Sequence, residues 1–167
     1  MSNRLAIIGV GSNVAPEQHV PTALTALLHK HGTLHLSSVV ETAPVGMTDD
    51  SGVFWNLAVA IPTDAGPREL QAALHDAERA AGRDRDAPGQ SWQARPLDLD
   101  LLFFTTGEPV ADEAMPSEPW IRPLVIELLH HLGIADAPSG TPSGAIAMQI
   151  DARRLPAGPT TLHSDTP

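Results

Sequence analysis

Two aspartates, Asp98 and Asp100, stand inside the otherwise apolar run "RPLDLDLLFF" at residues 95–104. Side chains at i and i+2 of a strand share a face. The run therefore predicts two carboxylates held side by side on apolar sheet, although aspartate is depleted in strands. Three uses fit such a pair. The acids can lie on a solvated face, paired with arginines. They can form a general acid–base pair, which requires one raised pKa. Or they can grip a hard divalent cation. Mg²⁺ is held by one or two carboxylates together with substrate phosphates, and a D-x-D strand suits that use.

Arginines gather upstream of the acids. Arg79, Arg83, Arg85 and Arg95 fall within seventeen positions, and Trp92 lies among them. The plain reading is a soluble loop of mixed charge with a stray core tryptophan. The chemical reading is a loop that closes over a polyphosphate, because guanidinium forks match phosphate oxygens. Arg95 would face away from Asp98 if the strand were already regular there, so local bending sets its aim. In "FWN" (54–56), Phe54 and Asn56 share a strand face. A planar heterocycle can stack on the ring and be read by the amide's donor and acceptor. "GVGSN" (9–13) lacks the third glycine of a dinucleotide fingerprint and the Lys-Ser/Thr of a P-loop. It reads as a tight turn with Asn13 bracing neighbouring loops. His29, His31, His35, His130 and His131 show no ligand spacing and read as ordinary histidines.

The elements that must position these residues follow from periodicity. Residues 4–10 are an apolar, β-branched strand that ends in a Gly-Ser-Asn turn. Residues 17–30 carry Val20, Ala23, Leu24 and Leu27 at helical spacing, with Gly32 as a stop. Residues 33–42 alternate as a strand, 43–52 are a loop, and 53–61 are a strand. Residues 66–82 form a helix opened by Pro67, with Leu70, Leu74, Ala77 and Ala81 in one stripe. A polar loop at 83–94 precedes the acid-bearing strand. This β-α-β-β-α-β order is that of a ferredoxin-like α+β sandwich: an antiparallel sheet, two helices on one face, the other face free for a site. A third helix is expected from about residue 123. One domain over 1–150 is expected, with a stabilising segment near 145–150 and a flexible tail over 151–167.

Composition narrows the function. The 167 residues carry a net charge of −10 with only 10 Lys+Arg, which argues against a nucleic-acid surface. With no cysteine there is no disulfide, thiolate nucleophile or cysteine metal site. No apolar run approaches a membrane span, and the N-terminal run is too short for a signal peptide. A cytoplasmic protein without nucleic-acid or membrane partners, monomeric or a weak dimer, is the expectation.

Together "GSN", "ETAPVG", "FWN", Glu78 in its helix, "GRDR", Trp92 and "RPLDLDLLFF" resemble the 6-hydroxymethyl-7,8-dihydropterin pyrophosphokinase family of folate synthesis, in order and spacing over about residues 5 to 104. The resemblance implies a ferredoxin-like fold that moves pyrophosphate from MgATP to the pterin's hydroxymethyl group. It implies two Mg²⁺ ions on Asp98 and Asp100, and a catalytic set completed by Arg83, Arg85 and Arg95. It implies a pterin gripped by the loop of Thr42, Pro44 and Val45, by Asn56 and by stacking on Phe54. Glu78, Trp92 and Arg95 fall on the nucleotide side. After residue 110 the match departs: Ser117 stands where the family has an ATP-contacting histidine, and the gap to Arg122-Pro123-Leu124 is shortened. Trp120 and Arg122 are the candidates for the second stacking aromatic and the remaining nucleotide arginine. A relative that binds pterin or nucleotide without turnover, or a plain interaction module, are the rival readings.

Overall fold

The computed structural model describes residues 3–42, 53–82, 96–136, 142–150 and 152–164. The elements run β1 (Leu5–Ser12), α1 (Pro16–His31), β2 (Thr33–Leu36), β3 (Val39–Thr42), β4 (Phe54–Pro62), α2 (Pro67–Ala80), β5 (Asp98–Thr105), α3 (Arg122–His131), β6 (Ala145–Ile146), β7 (Met148–Ile150), β8 (Arg153–Leu155) and β9 (Thr160–His163). The main sheet is ordered β5-β1-β4-β2-β9, with β3 continuing the β2 side along β4 and β6 beside β3. Its pairings are antiparallel. This is an α+β fold with the ferredoxin-like arrangement the pattern predicts.

The two faces of β1 explain the layers. Ala6, Ile8 and Val10 turn to a core shared with α1 and α2, where Leu24, Leu70 and Leu74 are buried. Ile7 turns the other way, to a second core with Ala58, Ala60, Ile121 just before α3, and the α3 residues Leu124, Val125 and Leu128. The alanines keep the sheet low enough for α3 to lie close. α1 opens on Pro16, where its missing N–H is no loss. It stops at Gly32, whose φ of 81° suits glycine and whose N–H donates to the Leu28 carbonyl.

Four expectations change. β1 runs on through Ser12, so Gly9 and Gly11 lie in the strand rather than in a turn. The single strand expected over 33–42 is two, broken at Ser37–Ser38. The free face is only partly free, because α3 covers one end of it. Where composition predicts a tail, β8 forms a hairpin with β7 and β9 pairs with β2 as the outer strand of the sheet. The alternation of Thr161 and buried Leu162 along β9 is what lets that segment take a sheet edge.

Candidate active site

β5 resolves the paradox of acids in an apolar run. Ile7 faces Phe103 but Ile8 faces Leu101, so Leu102 is an extra residue, a β-bulge. The bulge resets the alternation. Leu99, Leu101 and Phe104 all face the α1–α2 core, while Leu102 and Phe103 join the α3 core. Asp98 and Asp100 remain on the α3 face, half-buried and exposed respectively. Arg4 stacks its guanidinium 4.2 Å from the centre of the Phe104 ring, closing that end of the strand.

The register then assembles a face. Asp100 pairs with Gly9 and Asp98 with Gly11. Gly11 pairs with Asn56 across β4, Asn56 with Val40, and Phe54 with Thr42. Cross-strand partners share a face. Asp98, Asp100, Gly9, Gly11, Asn56, Phe54 and Thr42 therefore line one surface across four strands. Gly11 is its floor. A Cβ there would stand 3.1 Å from Asn56 Oδ1 and 4.0 Å from Asp98 Cβ. A Cβ on Gly9 would meet Ile121 and Leu102 at an ordinary 3.7 Å. The chain thus leaves a side-chain-free trough between an amide and two carboxylates. Glycine inside a strand marks such close approach. The i, i+2 glycines in a β-branched run carried that signal, and reading them as a turn missed it.

Neighbouring contacts hold the trough's edges. Ser12 Oγ donates to the Pro96 carbonyl at 2.6 Å, tying the end of β1 to the residues that lead into β5. Asn13 is buried beside it. Glu78 lies on the opposite side of the sheet from the acids. It is 1% exposed, and its Oε2 accepts the Leu99 N–H at 3.3 Å. Trp55, between Phe54 and Asn56, faces the α1–α2 core and donates its indole N–H to Glu41 at 2.8 Å.

The remaining predicted residues are placed as follows. Trp120 is 59% exposed, one residue before Ile121, which packs at Gly9. Arg122 opens α3, and its guanidinium donates to the Pro116 carbonyl and to Asp112 Oδ1, each at 3.1 Å. Pro44, Val45, Arg83, Arg85, Trp92 and Arg95 lie outside the described residues. Among the described residues no third His, Asp or Glu joins Asp98 and Asp100 to complete a protein metal cage. Two hard carboxylate donors on an open surface are the set that suits Mg²⁺ completed by phosphate oxygens and water. No described helix is long and apolar enough to cross a membrane.

The chain is similar to known proteins over the segment that carries this face. The family model for 7,8-dihydro-6-hydroxymethylpterin-pyrophosphokinase matches residues 7–132, from β1 to the end of α3. The chain is 37% identical over 105 residues to the 2-amino-4-hydroxy-6-hydroxymethyldihydropteridine pyrophosphokinase of Bacillus subtilis, covering 61% of this chain and 60% of that protein. It is 34% identical over 108 residues to the Pseudomonas aeruginosa protein of the same name, covering 63% of each. It is 38% identical over 135 residues to the mitochondrial folate synthesis bifunctional protein of Pisum sativum, covering 77% of this chain and 25% of that one. The matches thus span about three fifths of the single-function relatives and a quarter of the bifunctional one. The matched segment carries the acids, the glycine trough and the amide, and the chain belongs to the 7,8-dihydro-6-hydroxymethylpterin-pyrophosphokinase family.

Proposed function

We propose that this protein transfers pyrophosphate from MgATP to 6-hydroxymethyl-7,8-dihydropterin. The observation that carries the reading is the single face on which Asp98, Asp100, Gly11 and Asn56 meet. The pterin's hydroxymethyl oxygen bonds to the β-phosphorus of ATP. The bond from that phosphorus to the α-phosphate oxygen breaks, AMP leaves, and the hydroxyl proton passes to water. Such transfers depend on positioning and charge neutralisation rather than on a covalent nucleophile, which suits a chain without cysteine. Asp98 and Asp100 would hold two Mg²⁺ ions, which neutralise charge developing on the phosphates. Asn56 reads the pterin's edge and Phe54 stacks on its plane. Thr42, with Pro44, Val45 and Trp120, completes the pterin side. Arg83, Arg85 and Arg95 neutralise phosphate, and Trp92 and Arg122 belong to the nucleotide side; Glu78, expected there from the sequence, is instead buried behind the sheet, where it braces the Leu99 N–H between the two acids. The reading sets the reaction in the cytoplasm, on a monomer or weak dimer without nucleic-acid or membrane partners.

AMP release, followed by a coupled assay with the dihydropterin and Mg²⁺, tests the reading. Turnover above the pterin-free background is expected, and its absence rejects the enzymatic claim. Ser117, in place of the family's histidine, favours a second reading: a relative that binds pterin or nucleotide with little turnover. Calorimetric pterin binding without AMP release is its signature.

A further inference from the structure

Glu127 is a carboxylate the proposed reaction does not use. It sits on α3 among Leu124, Val125 and Leu128, and is only 5% exposed. Both its oxygens are turned to one residue. Oε1 accepts the Ser38 N–H at 2.5 Å and Oε2 accepts the Ser38 hydroxyl at 2.9 Å. Ser38 is fully buried in the break between β2 and β3.

That break is a register change. Leu36 faces Val59, yet Val40, four residues on, faces Asn56, three residues back. The β2–β3 side therefore holds one extra residue, at Ser37–Ser38. Ser37 covers for the interrupted ladder: its N–H donates to the Ala58 carbonyl at 2.9 Å, and its hydroxyl accepts the Ala58 N–H at 2.8 Å. Ser38 has its N–H and hydroxyl turned to α3 instead. Beyond the bulge, β3 sets Val40 against Asn56 and Thr42 against Phe54. A slip of one residue there would turn Val40 and Thr42 to the opposite face.

We infer that Glu127 is a positioning residue for the pterin side of the site, clamping the Ser37–Ser38 bulge that sets the register of β3 against Asn56 and Phe54. The inference rests on the pterin reading above. Its reach is selective. β3 and β4 carry the amide, the ring and Thr42, whereas the acids stand on β5, paired to β1 and remote from the clamp. Buried charge-assisted hydrogen bonds are among the stronger ones, and losing the acceptor leaves a buried N–H unpaired.

The test compares Glu127→Ala, Glu127→Gln and Ser38→Ala with the parent protein. Three readouts apply: KM for dihydropterin, KM for ATP, and amide hydrogen exchange along residues 39–42. Glu127→Ala should raise the pterin KM by about tenfold or more, leave the ATP KM within about twofold, and speed exchange in β3 but not in β1. Glu127→Gln keeps an acceptor for the Ser38 N–H and should recover most of the loss. Ser38→Ala, which keeps the N–H bond, should fall between. If Glu127→Ala does not fold, the other two variants carry the comparison. Equal changes in both KM values, or unaltered β3 exchange, overturn the positioning role. An inactive parent protein would overturn the proposed function instead, while β3 exchange still reports on the clamp.

Discussion

Replacing Gly11 by alanine isolates the trough from everything else in the fold. Neither Gly9 nor Gly11 has positive φ, so alanine is acceptable to the backbone at both. The two differ in what a Cβ meets. At Gly11 it lies 3.1 Å from Asn56 Oδ1, too close by a few tenths of an ångström. Relief comes from the amide, because the strand behind it is paired on both sides, to β1 and to β3. On the proposed pterin reading, rotating the amide spoils the alignment of both its donor and its acceptor with the substrate. Two neutral hydrogen bonds at about 0.5–1.5 kcal/mol each come to about 1–3 kcal/mol, or about 5- to 150-fold in kcat/KM for the pterin. At Gly9 the added methyl makes ordinary contacts with Ile121 and Leu102. Gly9→Ala should leave kcat/KM within about threefold, and can raise stability by about 0.4–1 kcal/mol through the unfolded chain. The assay is AMP formation with pterin varied at saturating ATP, beside thermal melting of both variants. A Gly11→Ala enzyme with unchanged pterin kcat/KM, or a Gly9→Ala enzyme equally impaired, would refute the argument that the empty floor serves the amide.

Other perturbations test other layers. Asp100→Asn should lower kcat/KM by about a hundredfold or more and raise the Mg²⁺ concentration needed for half activity. Its metal-free melting temperature should hold or rise, because like charges two residues apart repel; a sharp drop would mean the acids are structural. Leu128→Ala, at a fully buried contact between α3 and the sheet, should lose about 2–5 kcal/mol in denaturant unfolding, and a loss under about 1 kcal/mol would count against α3 as core. Burial, and then the neighbouring His131 and His163, hold His35 below its ordinary pKa of 6.5. Above 6.5 the group is neutral folded and unfolded. As pH falls below it the unfolded chain takes the proton first, so stability declines until the folded His35 titrates too. His35→Asn, which can keep an oxygen near Thr161 (now 2.9 Å from His35 Nδ1), should flatten that decline in melts taken from pH 7.5 to 5; an unchanged slope would place the effect elsewhere.

Much of this protein was legible in the chain alone, because the relevant physics is local. Periods of 2 and 3.6 locate β1, α1, β4, α2, β5 and α3 to within a few residues, and their order specifies a ferredoxin-like sheet. The i, i+2 spacing of Asp98 and Asp100, and of Phe54 and Asn56, already puts each pair on one face. Tertiary structure alone decided which face, and what else lies on it. The bulge at Leu102 and the break at Ser37–Ser38 are set by pairing with strands tens of residues away. The strand pairing that brings Thr33 beside His163, 130 positions apart, has no local signature. Nor could spacing tell that Glu78 and Glu127 are buried, since each depends on a backbone N–H delivered from another element, at Leu99 and at Ser38. A carboxylate's solvation is a property of the packing around it, and that packing exists only once the elements have met.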